Sequence, residues 1–396
     1  MPQKVVIIGH SYSSRLALIH SLGQAGYDVD VIVTMYGQLS VKKPLDCYSK
    51  YVNNVYYCKA KDESGLIDLL LNQCIKQSSK VVIIPDSDYS AAFVDKNREL
   101  LSRYFLFPHV DNKGFVANLM DKERQKKLAQ EVGLNVPGTT TAHVCNGVIP
   151  ELENVYYPCF TKALTTMGGG KQWFKKCDNE EELRHALTVF AKGGEVEILV
   201  EDFIDIEKEY AVVGLTDGIN VIIPGVIEFV ENCQCHLGIA RKGRIIPPAG
   251  FEELLEQFKA YVKKTHFIGL FDIDFLYSKG RYYFCEMNFR YGGSGYAYTK
   301  SGINLPAMFV EMITGNKQWN IGVRNVTAPQ NYVNERMMLD DLNVGNVTIR
   351  NFDRAINSAD IRFMHDESDP KPERLFRKMV LKTKVKHILR KILHKK

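Results

Sequence analysis

The stretch "FCEMNFRYGGS", Phe284–Ser294, follows "GLFDIDFLYSKGRYY" and carries Glu286, Asn288 and Arg290 at every second position. Successive side chains of a β-strand point to opposite faces, so a strand here puts these three on one face. Phe284, Cys285, Met287 and Phe289 are apolar, which predicts a strand running through a packed interior. Polar groups lined up there need partners, because burying them unpaired is costly. Two oxygen ligands followed by a cation suit a divalent metal that holds a polyphosphate. Asp272 and Asp274 alternate with apolar residues in "LFDIDFLY", and Asp274 precedes Glu286 by one hairpin. Asp274, Glu286 and Asn288 thus form a candidate hard-cation site of the magnesium type. The competing reading is a structural polar ladder.

Three other segments offer chemistry of the same kind. "TTMGGGKQWF" places Gly168, Gly169 and Gly170 beside Lys171. Such a loop lets backbone N–H groups approach phosphate oxygens and can close as a lid; a tight hairpin is the alternative. In "PCFTKAL", Lys162 interrupts an apolar strand and calls for an anion, either a nucleotide phosphate or a structural ion-pair partner. "ILVEDFI" ends an apolar strand with Glu201, Asp202, Phe203 and Ile204. Its backbone and apolar flanks suit an adenine edge and face; an edge strand with solvated acids is the alternative. Cys233, Cys235 and His236 lack a second ligand pair nearby, so a structural zinc site is not expected.

The chain has 396 residues, 45% hydrophobic and 24% charged, which suits a folded protein of two or three domains. Nine scattered cysteines read as reduced thiols of a cytoplasmic protein. The opening "MPQKVVIIGHSYSSR" reads as a first buried strand rather than a signal peptide. The net charge of +5 is unevenly spread: residues 371–396 hold eleven Lys/Arg against one acid, Glu373. That tail carries +10 and the preceding 370 residues −5, which argues against a general nucleic-acid surface.

"VVIIG", "DVDVIVT" and "KVVIIPD" look like buried parallel strands, with "SSRLALIHSLGQAG" and "ESGLIDLLLNQCIKQ" as helices between them. This predicts a doubly wound α/β domain over residues 1–111. Gly9 ends a strand before a helix, but without a GxGxxG pattern a scaffold or substrate-side domain is the favoured reading. Asp121 is expected to cap a Lys/Arg/Gln-rich helix that stops near Gly133. An α+β region of short strands follows, broken by the helix "NEEELRHALTVFAK".

The order Lys122, Lys162, glycine loop, "VEDFI", Glu209, Asp274 and "EMNFR" resembles the ATP-grasp superfamily of carboxylate-activating ligases. "CHLGIARKGRIIPPAG" is similar to the segment that carries a nucleotide-side histidine in carbamoyl-phosphate-synthetase-like members. The likeness spans roughly residues 1–315, and in detail the chain looks closest to D-aspartate-ligase-like and polysaccharide-cluster members. It implies an ATP-grasp fold, α/β and α+β: a pre-ATP-grasp domain at 1–111, a lid subdomain at 112–200, a large subdomain at 201–330 and a C-terminal extension at 331–396. It also implies ATP with Mg²⁺, as two ions and with Mn²⁺ as a substitute. Lys122 and Lys162 would hold phosphates, Glu201 and Ile204 would meet the adenine, Glu209 the ribose, and His236 the nucleotide side. Asp274, Glu286 and Asn288 would hold the metal, and Arg290 would stabilise the transferring phosphoryl group. Gly292, Gly293 and Ser294 are candidate oxyanion donors.

The implied reaction joins a carboxylate to an amine through an acyl phosphate with release of ADP, in a cell-envelope or surface-polysaccharide setting. The alternatives are an ATP-grasp carboxylase or phosphotransferase with a non-amine acceptor, and a non-catalytic membrane-surface nucleotide sensor. Expected partners are small-molecule or lipid-linked acids and amines, with a homo-oligomer left open. In the basic tail, Leu375, Phe376 and Met379, then Val385, Ile388, Leu389, Ile392 and Leu393, recur at helical spacing. This suits a helix on the inner face of an anionic membrane; packing on the acidic body or disorder are the alternatives.

Overall fold

The computed structural model describes residues 2–37, 42–76, 79–110, 115–145, 148–164, 173–191, 194–236 and 238–393. The loop glycines Gly168–Gly170 and Lys171 lie outside the described residues. The first sheet is parallel throughout, in the order β3-β2-β1-β4-β5 for β1 (Lys4–Gly9), β2 (Asp28–Met35), β3 (Val52–Lys59), β4 (Val81–Pro85) and β5 (Phe105–Leu106). Its central strands are continuous apolar runs because both faces are covered; Val5, Val6, Ile7 and Ile8 are wholly buried. At the end of β1, Gly9 has φ +148°, and a Cβ there would lie 1.8 Å from Oδ1 of Asp86. Glycine is thus required by a buried carboxylate, which also accepts the Ser11 N–H at 3.1 Å.

A second, antiparallel sheet has the order β6-β9-β7-β8: β6 (Thr139–Val144), β7 (Cys159–Ala163), β8 (Lys175–Cys177) and β9 (Val196–Asp202). The Glu180–Phe190 helix covers it through Leu183, Ala186 and Leu187, and Asn179 caps that helix on the Glu182 N–H.

The third sheet holds β10 (Lys208–Thr216), β11 (Val221–Ile222), β12 (Val226–Asn232), β13 (Ala240–Ile246), β14 (Gly269–Ser278), β15 (Arg281–Asn288), β16 (Gln330–Val333) and β17 (Ile361–Arg362). Its order is β15-β14-β10-β12-β13-β16-β17, with β11 on β10. Residues beyond 330 therefore extend this sheet by two strands, and the helices Glu335–Val344, Ile349–Ser358 and Pro370–Leu393 follow.

The strand of the EMN motif, β15, is at the edge of this sheet, with Phe284 and Met287 buried as the apolar pattern predicts. A helix supplies the missing neighbour. In the Lys122–Glu131 helix, capped by Asp121 on the Arg124 N–H, the amide of Gln125 pairs with both backbone groups of Met287. Its Nε2 donates to the Met287 carbonyl at 2.9 Å, and its Oε1 accepts the Met287 N–H at 2.7 Å. Asn135 covers the rest of the edge, its carbonyl accepting the Phe284 N–H at 2.8 Å and its Nδ2 donating to the Tyr282 carbonyl at 3.2 Å, so backbone groups that an edge strand would otherwise expose are paired.

One continuous core joins the first and third sheets. Leu18 and Ile19 of the Tyr12–Gln24 helix, Ala211 and Val213 of β10, Leu270 of β14, Tyr296, Leu305 and Phe309 all belong to it. The amino end of the Tyr12–Gln24 helix consequently sits on the turn after β15. A Cβ on Gly293 would come within 2.9 Å of Cβ of Ser13, and one on Gly292 within 2.4 Å of the Asp272 carboxylate. The Gly-Gly pair is explained by this close approach.

Candidate active site

The hairpin β14–β15 sets the site. Asp274 lies opposite Glu286 and Asp272 opposite Asn288, with an irregularity in register just after Asp274. Nδ2 of Asn288 donates to Asp274 at 3.3 Å. Strand alternation therefore brings together the three residues read as metal ligands, and adds Asp272. Arg290 lies beyond the end of the strand, so it does not share the strand face by alternation. The chain after Asn288 instead carries its guanidinium to Asp272, at 3.0 Å, and towards Asp88 of the first domain, at 3.7 Å.

Lys122 pairs with Glu286 at 3.0 Å. One helical turn on, Lys126 pairs with Glu201 and donates to Oγ1 of Thr139 at 2.7 Å. Lys162, on β7, reaches the other oxygen of Glu201 at 2.8 Å. Glu201 is thus shared by buried Lys126 and half-buried Lys162, and its side chain is turned to them. Burial alone would raise the Glu201 carboxyl, but Lys162 and Lys126 hold it below its ordinary value. Burial lowers Lys126 to about 8, despite Glu201.

The other predicted residues take different places. Asp202 closes the turn before β6: its N–H donates to the Gly138 carbonyl at 2.9 Å, and its carboxylate accepts the Gly138 N–H at 3.1 Å. The Phe203 N–H is taken by the Pro158 carbonyl, and its ring lies under the Lys176 ammonium. Ile204 is half-buried just beyond. Glu209 accepts from Asn232 Nδ2 at 2.6 Å. His236 is exposed and faces Asp340 at 3.3 Å, on the Glu335–Val344 helix, while Gly238 and Ile239 of the same loop line the cavity beside Asp272 and Asp274. The ligand atoms of Cys233, Cys235 and Asp341 lie within 4.8 Å of one another. Asp341 is already engaged by Arg241, by the N–H groups of Gln234 and Cys235, and by Asn346.

Around β14–β15, Asp88, Asp272, Asp274 and Glu286 cluster beside Lys122 and Arg290, with Lys162 acting on Glu286 as well. Oδ1 of Asp88 and Oδ1 of Asp272 are buried with no hydrogen-bond partner among the described residues. Burial, then repulsion from Asp272 and Glu286, pushes Asp274 well above the ordinary carboxylate range. Burial raises Asp272 and Asp88 as well. Glu286 is the exception: burial would raise it, but Lys122 and Lys162 bring it down. Four clustered carboxylates, three of them pushed up by burial, with buried oxygens that accept no hydrogen bond among the described residues and an amide carbonyl beside them, fit a divalent hard cation.

A polar cavity of about 110 Å³ adjoins these groups. Asp272, Asp274, Arg290 and Ser294 line one side, and Ser11, Ser13 and Ser14 at the amino end of the Tyr12–Gln24 helix line another. A larger cavity, about 500 Å³, opens beside His143, Trp173 and Glu197 on the second sheet and touches none of the carboxylates.

Residues 121–316 match the family model of the carbamoyl-phosphate synthase L chain, ATP binding domain. That span runs from the cap of the Gln125 helix through both lysines and the β14–β15 hairpin to beyond Arg290. This chain has the ATP-grasp fold. Its ATP-grasp domain is 24% identical over 214 residues to the carbamoyl phosphate synthase large chain of Gemmatimonas aurantiaca, covering 53% of this chain and 19% of that one. It is 29% identical over 169 residues to the C-terminal section of the same enzyme from Methanopyrus kandleri, covering 41% and 30%. The chain thus spans less than a third of the length of these relatives.

Among solved structures, the L-amino acid ligase of Bacillus licheniformis superposes with a TM-score of 0.61 at 17% identity, covering 84% of this chain and 79% of that one. The biotin carboxylase domain of the Hydrogenobacter thermophilus 2-oxoglutarate carboxylase, in complex with MgADP and bicarbonate, gives 0.62 at 18%, covering 84% and 74%. The ATP-grasp fold extends in both over the first domain as well.

Asp88, Gln125 and Lys126 were not among the residues picked out from sequence, and Asp272 was noted beside Asp274 without a ligand role. Lys122, Gln125 and Lys126 stand at helical i, i+3, i+4 spacing, which is a readable signal that they share a face. Asp88 gives no such signal, because only the docking of the first domain brings it to Arg290.

Proposed function

We propose that this protein is an ATP-dependent ligase that activates a small carboxylate as an acyl phosphate and joins it to an amine, releasing ADP and orthophosphate. The observation that carries the reading is the β14–β15 constellation of clustered carboxylates, three of them pushed up by burial, beside Lys122 and a small polar cavity. Asp274, Glu286 and Asn288 would hold Mg²⁺, with Asp272 beside them. The ion would neutralise phosphate oxygens and help align the transfer.

The side chains supply the rest. Lys162 is free to exchange Glu201 for a phosphate oxygen, because Lys126 stays to neutralise the shared carboxylate. Lys122 can make the same exchange once Glu286 has a cation to bind. Arg290, fixed by Asp272 and Asp88, presents its guanidinium at the mouth of the cavity. There it would hold the acid and stabilise charge on the group in flight. The hydroxyls of Ser11, Ser13 and Ser14 on the opposite wall suit a second polar group on a compact acid, such as an amino acid. The backbone beyond β9 remains the candidate adenine edge, and Glu209 the candidate ribose contact. The glycine loop and Lys171 are the candidate phosphate lid. His236 keeps its nucleotide-side role only if the loop that carries it leaves Asp340.

The likeness to D-aspartate-ligase-like and polysaccharide-cluster members, and to an L-amino acid ligase, points to amino acids and surface-polymer precursors as substrates. The test is an ADP-release screen of small carboxylic acids, each with and without a pool of amines. One acid should elicit ADP, and an amine should raise the rate and appear in an amide product. A carboxylated or phosphorylated product would transfer the protein to the carboxylase or phosphotransferase alternative. ADP release indifferent to every acid would remove the ligase reading.

A further inference from the structure

The Pro370–Leu393 helix has two apolar faces that belong to different halves of it. Phe376 and Val380 pack into the cluster formed by Met338, Leu339, Leu342 and Phe352. Thr383, on the same side of the helix, is buried and donates to Oδ1 of Asn343 at 2.8 Å. Lys384 pairs with Asp353. These contacts hold the helix against the body as far as its middle. Beyond Val380 the apolar residues change sides. Leu381, Val385, Ile388 and Leu389 follow at i, i+4, i+7 and i+8, and they are 63%, 47%, 52% and 53% exposed. A stripe at this spacing, turned away from the body it is anchored to, is a surface built to meet something else.

We propose that this outer stripe docks on an anionic lipid bilayer. The charge around it selects that occupant. Residues 371–396 carry +10, and their single acid, Glu373, is committed to His365, Arg362 and Arg377. Exposed Lys382 and Lys386 flank the stripe. Two copies of the helix packed stripe to stripe would bring two such charges together, which disfavours self-association. A bilayer with acidic headgroups supplies negative charge and an apolar interior in one surface. The described helices include none long and apolar enough to cross a membrane, so the contact is peripheral. Docking would hold the cavity beside lipid-linked or envelope-bound acceptors, but it does not depend on the ligase reading.

The experiment uses the full chain without nucleotide, because truncation after Pro370 would also strip Phe376 from the core. Sedimentation with phosphatidylglycerol–phosphatidylcholine vesicles is compared with sedimentation with phosphatidylcholine alone. The protein should bind only the anionic vesicles at low salt and leave them as salt rises. Leu381→Ser/Ile388→Ser/Leu389→Ser and, separately, Lys382→Glu/Lys386→Glu should each weaken binding by about tenfold or more, with unchanged circular dichroism. No binding by the parent, or equal binding by the serine variant, would overturn the proposal. So would a dimer in equilibrium sedimentation that the serine variant abolishes, because the stripe would then belong to a second copy.

Discussion

Glu286→Gln should fold like the parent and lose nearly all ADP production, on the order of a hundredfold or more. Glutamine keeps the shape of the side chain opposite Asp274 and removes the charge that pairs with Lys122 at 3.0 Å. It also removes the carboxylate that Lys122 and Lys162 keep ionised inside a buried site. Asp274 and Asp272 do not stand in for it: burial pushes both up, with repulsion from neighbouring carboxylates adding to it, whereas Glu286 is the one held down. Asn288→Ala should act in the same direction by deleting the amide opposite Asp272 and its donation to Asp274. The measurement is steady-state ADP release beside circular dichroism. Near-normal turnover by folded Glu286→Gln would remove β15 from the chemistry.

The largest stability effect should come from a residue outside the site. Asp341 is wholly buried and accepts from Arg241 Nη1, from the N–H groups of Gln234 and Cys235, and from Nδ2 of Asn346. It fastens the loop after β12 to the Glu335–Val344 helix. Asp341→Ala leaves the Arg241 guanidinium and two backbone donors without their acceptor, which should cost about 3–5 kcal/mol. Burial would raise the Asp341 carboxyl, but the Arg241 and Gln234 bonds outweigh it and hold the group well below its ordinary value. A folded-state pKa below the unfolded one means stability that is present at neutral pH and lost as pH falls through the carboxylate range. Urea midpoints from neutral to acidic pH check both points. The parent should lose its advantage over Asp341→Ala on acidification, and a gap that is constant with pH would show that the charge is not what matters.

Much of the site was legible because alternation along a strand is local. Glu286 and Asn288 had to share a face, and Asp274 had to lie near Glu286 once the "YSKG" hairpin was recognised. Arg290 was placed for the wrong reason: the strand stops at Asn288, and contacts with Asp272 and Asp88 then fix the side chain. Asp88 could not be read, because a parallel-sheet domain hides which loop will face its neighbour until the two pack. The edge position of β15 was hidden for a related reason. Its apolar residues are buried by helices as well as by strands, and the Gln125 amide and Asn135 together replace a strand neighbour. The tail helix was visible from its spacing, but the change of face near Val380 was not. A single apolar stripe and two half-stripes have nearly the same composition.

In the proposed reaction a carboxylate oxygen of the substrate attacks the γ-phosphorus of ATP. This step is tested most directly by supplying the acid found in the screen with both carboxylate oxygens isotopically labelled. Mass analysis of the phosphate released during amide formation then reads the outcome. An acyl-phosphate route transfers one labelled oxygen to each orthophosphate, with ADP as the co-product. Unlabelled orthophosphate, or stoichiometric AMP and pyrophosphate, would contradict the account.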